Sequence, residues 1–110
     1  MQESNIFGYI KNLIDSNDVV LFMKGDATFP QCGFSSLVAG ILLKHRVPFK
    51  DVNIFAVPEL REGIKLFTDW PTIPQLYVKG EFIGGCDIVK ELYACGELEK
   101  LLKEKNIPYE

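Results

Sequence analysis

Apolar residues along the chain change rhythm several times, and each change marks an element. Ile6, Ile10, Leu13 and Ile14 recur at near-helical spacing behind the capping residue Ser4, which predicts an amphipathic helix over 5–15. Asp15, Ser16, Asn17 and Asp18 end it. Val19 to Met23 is an unbroken apolar run between turn formers, the pattern of a strand buried on both faces of a parallel or mixed sheet. The polar stretch Lys24 to Gln31 holds Gly25 and Pro30 and reads as a loop. A second helical pattern, Leu37, Val38, Ile41 and Leu42, opens near Cys32 and runs to about Arg46. Pro48 stops it, and Phe49, Val52 and Ile54 predict a short strand, completing a βαβ unit. Pro58 fits the first position of a helix carrying Leu60, Ile64 and Phe67, ended by Trp70 and Pro71. Gln75–Val78 and Glu81–Ile83, joined at Lys79 and Gly80, read as an antiparallel hairpin. After Gly84 and Gly85 a last helical stretch runs from Asp87 to about Lys105, divided near Gly96. The order α, βαβ, α, ββ, α predicts an α/β fold, a four-stranded mixed sheet with helices on both faces.

Composition narrows the function classes. The chain has 110 residues, 47% of them apolar, which suits one compact domain. Its 12 Lys and Arg against 15 Asp and Glu leave a formal charge of -3, with no basic cluster larger than Lys44, His45 and Arg46. Nucleic-acid binding is not expected, because phosphate neutralisation needs a concentrated positive face. The longest apolar stretch, Leu37 to Leu43, falls well short of the roughly 18 residues of a membrane span. No basic residue precedes Lys11, so neither a secretory signal nor a transit peptide is expected, and the cytoplasm, bacterial by preference, is the expected location, with a processed organellar protein as the alternative.

Three cysteines, Cys32, Cys86 and Cys95, make an odd, widely spaced set, unlike a secreted disulfide framework or a self-sufficient zinc site. Each is then a core filler, a nucleophile or a ligand. Cys32 stands where a loop becomes a helix, a place whose free N–H groups and dipole favour a thiolate. Lys24, at the carboxyl end of the preceding strand, is the expected second source of positive charge. Three residues on, Ser35 occupies the place of a second thiol, and a hydroxyl cannot resolve a mixed disulfide. Exchange at Cys32 therefore needs an outside thiol, or the thiolate serves another purpose such as metal ligation. Cys95, on a stripe with Leu92, is expected in the core, as are Trp70, Phe29, Phe67, Tyr77 and Phe82. His45 is expected at the surface near a helix C-terminus. Phe34 is either core or exposed at a dimer contact.

Cys32, Gly33, Phe34 and Ser35 form a CGFS motif, with Phe22 to Gly25 upstream and Trp70 to Gln75 and Gly84 to Asp87 downstream. In these segments, in this order, the chain resembles the monothiol glutaredoxins from about residue 5 to 105, in their single-domain branch. The resemblance implies a thioredoxin fold with a cis peptide bond before Pro74. It implies a glutathione site in which Lys24 and Arg61 hold the glycyl carboxylate and the Ile73 backbone pairs with the cysteinyl unit. Cys86 and Asp87 would take the γ-glutamyl end, at a helix N-terminus suited to its carboxylate. It further implies a labile [2Fe-2S] cluster ligated by Cys32 and glutathione from each of two chains, hence a cluster-bridged homodimer that passes the cluster to acceptor proteins. The long loop from Gly25 to Gln31 is associated in that family with weak disulfide reduction. Glutathione-dependent thiol transfer by Cys32 and pairing with a BolA-like partner are the other functions implied. Cys86 is also open to pairing with Cys32 under oxidation.

Overall fold

The computed structural model describes residues 3 to 110. Four strands, β1 (Val19–Met23), β2 (Lys50–Asn53), β3 (Gln75–Val78) and β4 (Glu81–Gly84), lie in the order β2-β1-β3-β4. β1 pairs parallel with β2 and antiparallel with β3, and β3 pairs antiparallel with β4, so the sheet is mixed as expected. The five helices are α1 (Glu3–Ser16), α2 (Gly33–Lys44), α3 (Leu60–Thr68), α4 (Cys86–Ala94) and α5 (Glu97–Glu104). No helix among the described residues is long and apolar enough to cross a membrane. The side chain of Ser4, the expected cap, lies outside the described residues.

The central strand explains the architecture. Every residue of β1 is buried, and successive side chains leave a strand on opposite faces. Val19, Leu21 and Met23 pack with Val38 and Leu42 of α2, Val89 of α4 and Leu98 and Leu102 of α5. Val20 and Phe22 pack on the other side with Ile6, Ile10 and Ile14 of α1 and Leu60 and Ile64 of α3. Each such fully buried side chain contributes on the order of 1.5–3 kcal/mol relative to exposure, so the run has no solvent-facing alternative. α1 and α3 approach closely because Gly63 has no side chain: a Cβ there would stand 2.9 Å from two carbons of Ile6.

Several ends differ from the sequence expectation. Pro58 is not the first residue of α3, which begins at Leu60 behind Glu59 in a left-handed conformation. The backbone turn closed by Leu60 N–H to Val57 C=O at 3.2 Å takes up that segment instead. The last helical stretch does divide at Gly96, whose φ of 80° suits glycine. His45 is buried, at 9% exposure, because the C-terminal segment folds over it. Its Nδ1 lies 2.8 Å from the Glu110 carbonyl oxygen, and its ring meets Tyr93 and Tyr109 edge-on.

Candidate functional site

The carboxyl end of β1 delivers the chain directly to the site. Lys24 follows Met23, and the loop returns to Cys32, which caps α2 in an extended conformation. Cys32 forms no side-chain capping hydrogen bond as a neutral thiol. Its pKa is nevertheless held below the ordinary thiol value. The backbone N–H of Ser35 is the main cause and outweighs partial burial; the N–H of Phe34, the charge of Lys24 and the Ser35 hydroxyl add to it. The helix start is thus the principal source of thiolate stabilisation and Lys24 a second, lesser one, the order in which the sequence presents them.

Ser35 is itself fully buried. Its Oγ accepts a hydrogen bond from the Lys24 N–H at 3.1 Å. The residue in the place of a second thiol therefore ties the end of β1 to the first turn of α2.

Cys32, Lys24, Arg61 and Ile73 line one hollow of about 350 Å3, together with Phe34, Lys65, Pro71 and Thr72. A smaller hollow of about 150 Å3 shares Phe34, Thr72 and Ile73 with the first and is lined beyond them by Gly85, Cys86 and Asp87. All six residues singled out from the sequence thus line one or the other of two hollows that meet at Phe34, Thr72 and Ile73, together a groove. The Ile73–Pro74 bond is cis. The Ile73 backbone makes no hydrogen bond among the described residues. The first helical bond of α4 runs from Val89 N–H to Gly85 C=O at 3.0 Å, so the N–H groups of Cys86, Asp87 and Ile88 have no intrahelical partner. The groove therefore offers cations at one end, an open strand-like backbone in the middle and free N–H groups at the other.

A glutaredoxin family model matches residues 19–83. The chain is 57% identical over 103 residues to a probable monothiol glutaredoxin 2 of Rickettsia felis, covering 94% of this chain and 99% of that one. The chain belongs to the monothiol glutaredoxins. The mitochondrial monothiol glutaredoxin-5 of Saccharomyces cerevisiae is 53% identical over 98 residues, covering 86% of this chain and 65% of that one. The solution structure of reduced poplar apo GrxS14 superposes with a TM-score of 0.83 at 45% identity, covering 96% and 97% of the two chains.

In this glutaredoxin the loop before the thiol is held firmly. Gln31 N–H donates to Lys24 C=O at 2.9 Å and Phe29 N–H to Asp26 Oδ1 at 2.7 Å. Ala27 N–H donates to Asp51 Oδ2 at 2.8 Å, and Gly25 N–H to Asn53 Oδ1 at 3.2 Å. Gly25 has φ 81°, and a Cβ there would lie 2.5 Å from the Phe29 carbonyl oxygen.

Two expectations for this region need correction. Phe29 is 74% exposed, not core, because the loop tip projects from the sheet end, while Phe34, on the first turn of α2, takes the exposed one of its two expected places at 63%. Cys95 is exposed rather than buried: it follows the last turn of α4, and Leu92 beside it covers the core instead. Cys86 is a free, half-buried thiol whose pKa is pushed up by burial and by the Asp87 charge. Sequence reasoning passed over Lys65, which lines the Cys32 hollow; its place four residues after Arg61 on one helix face was the available signal. It also passed over the indole Nε1 of Trp70, buried without a partner beneath Gly85.

Proposed function

We propose that this monothiol glutaredoxin binds glutathione along the Cys32 groove and carries a [2Fe-2S] cluster between two copies of itself, as one domain with a core over about 5–105. The single observation carrying this reading is Cys32. It is a partly exposed thiol with a lowered pKa, opening on a cationic groove and followed at the third position by a fully buried hydroxyl. Lys24 and Arg61 pair with the glycyl carboxylate, the Ile73 backbone with the cysteinyl unit, and the N–H groups of Cys86 and Asp87 with the γ-glutamyl carboxylate. The Asp87 carboxylate takes the ammonium group.

The cluster is cargo, and the donor set is consistent with sharing it. A [2Fe-2S] centre takes four thiolates. Among the described residues no group of three or more His, Cys, Asp or Glu is placed to hold a metal. One Cys32 and one glutathione from each of two copies complete the set. Ligands that diffuse make such a bridge labile, which suits delivery to apo-proteins or sharing with a BolA-like partner. We assign the protein to the cytoplasm, with an organelle as the alternative setting.

Anaerobic reconstitution with iron, sulfide and glutathione tests this reading. A coloured dimer that needs both glutathione and Cys32 is the expected product; colour retained by Cys32→Ser, or formed equally without glutathione, overturns it. The lowered Cys32 pKa also favours a thiol-transfer reading. Cys32 thiolate attacks the glutathionyl sulfur of a mixed disulfide, the protein thiolate leaves, and a second glutathione thiolate then releases glutathione disulfide and restores Cys32. Turnover in a deglutathionylation assay that survives in Ser35→Ala and vanishes in Cys32→Ser measures it.

A further inference from the structure

The two cationic walls of the groove come from segments that are far apart in the chain, Lys24 at the end of β1 and Arg61 in α3. Their spacing must be set by whatever joins the loop after Lys24 to the connector before α3. One side chain does so. Asn53, the last residue of β2, accepts the Gly25 N–H at 3.2 Å and the Phe55 N–H at 3.0 Å on the same Oδ1. A carboxamide oxygen has two lone pairs, so both bonds are accommodated. The bond to Phe55 closes a local Asx-type turn, and the Asn53 carbonyl oxygen accepts the Ala56 N–H at 3.0 Å in the same bend. The next residue, Ile54, donates its N–H to Met23 C=O at 3.0 Å, one residue before Lys24. The start of the α3 connector and the peptide after Lys24 thus share one oxygen atom as their common anchor.

We infer that Asn53 is a positioning residue that fixes the separation of Lys24 and Arg61, and so selects a ligand carrying a carboxylate at the end of the groove nearest Cys32. It touches neither ligand nor sulfur. The inference rests on the glutathione reading above, and its test separates the two. Isothermal titration of the full chain with glutathione and with glutathione monoethyl ester, blocked at the glycine carboxylate, isolates the contribution of that carboxylate. The unaltered protein binds glutathione more tightly than the ester. Asn53→Ala lowers glutathione affinity by about three- to ten-fold, the range of one or two hydrogen bonds, and leaves ester affinity unchanged. Asn53→Asp retains an acceptor oxygen at the Oδ1 position and keeps the preference. Where alanine prevents folding, Asn53→Ser, whose shorter side chain closes the Phe55 turn without spanning to Gly25, gives the same reading.

Equal weakening toward both ligands in Asn53→Ala would make Asn53 a general fold residue and overturn the inference, as would wild-type affinities in that variant. Equal binding of both ligands by the unaltered protein would remove the carboxylate site itself, and the positioning role with it. A preference for glutathione in the unaltered protein that Asn53→Ala leaves intact would overturn the positioning role alone.

Discussion

Ser35→Ala tests the thiol environment most directly, because it removes one oxygen and keeps the backbone N–H that contributes most to the thiolate. Ser35 is fully buried, and its Oγ accepts the Lys24 N–H at 3.1 Å. Alanine leaves that donor without its partner in a part-buried setting, a loss of about 1–2 kcal/mol, toward the lower end of the range for an unsatisfied buried group. For a domain of this size that corresponds to a fall in melting temperature of about 4–8 °C. Urea unfolding should show a lower midpoint with an unchanged slope. The thiol should respond as well: without the hydroxyl, the Cys32 pKa rises, because one of the groups favouring the anion is gone. Following carbamidomethylation of the Cys32 peptide by mass spectrometry as a function of pH gives that midpoint in both proteins. A Ser35→Ala protein as stable as the wild type, or one whose Cys32 titrates at lower pH, would refute the reasoning.

At neutral pH, Cys32 should alkylate faster than Cys86, whose pKa is raised by burial and by Asp87, and the gap should close as pH climbs above both values; equal rates at pH 7 would contradict the opposed environments. Because the native Cys32 pKa lies below that of the unfolded chain, its stabilising contribution is present above the unfolded value. It is lost as pH falls through the native one, and Cys32→Ser should flatten that part of the stability profile. Gly25→Ala should destabilise by about 2–4 kcal/mol, from a left-handed backbone and a Cβ meeting backbone atoms 2.5 and 2.8 Å away; denaturation near the wild-type midpoint would refute it. Gly63→Ala should also destabilise, and Ile6→Ala in the same chain should recover part of the loss by removing the two carbons 2.9 Å from the added methyl, a coupling read from a double-mutant cycle.

Local pattern carries some parts of this molecule and not others. Val19 to Met23 is legible as a doubly buried strand because five consecutive apolar residues admit no polar face, and the structure buries all five. Gly96 is legible as a break because its positive φ excludes most other residues at low energy. Pro58 misleads: a proline tolerates both a helix start and the turn before one, and long-range packing of Leu60 chose between them. His45 misleads in the same manner, since the segment that buries it lies more than sixty residues downstream.

The thiol, its helix start and the missing partner at Ser35 are properties of neighbouring residues, and neighbours in the chain remain neighbours after folding. Periodicity likewise commits each stretch to helix or strand, since burial rewards only one repeat. The meeting of Lys24, Arg61, Ile73 and Asp87 around one groove is different in kind, because it depends on strand order and on how α3 and α4 are set against the sheet. Asn53 shows why. Its turn with Phe55 is local, but nothing in the residues beside it announces that the same amide oxygen will also hold the Gly25 N–H, which only the packed chain brings within hydrogen-bonding distance.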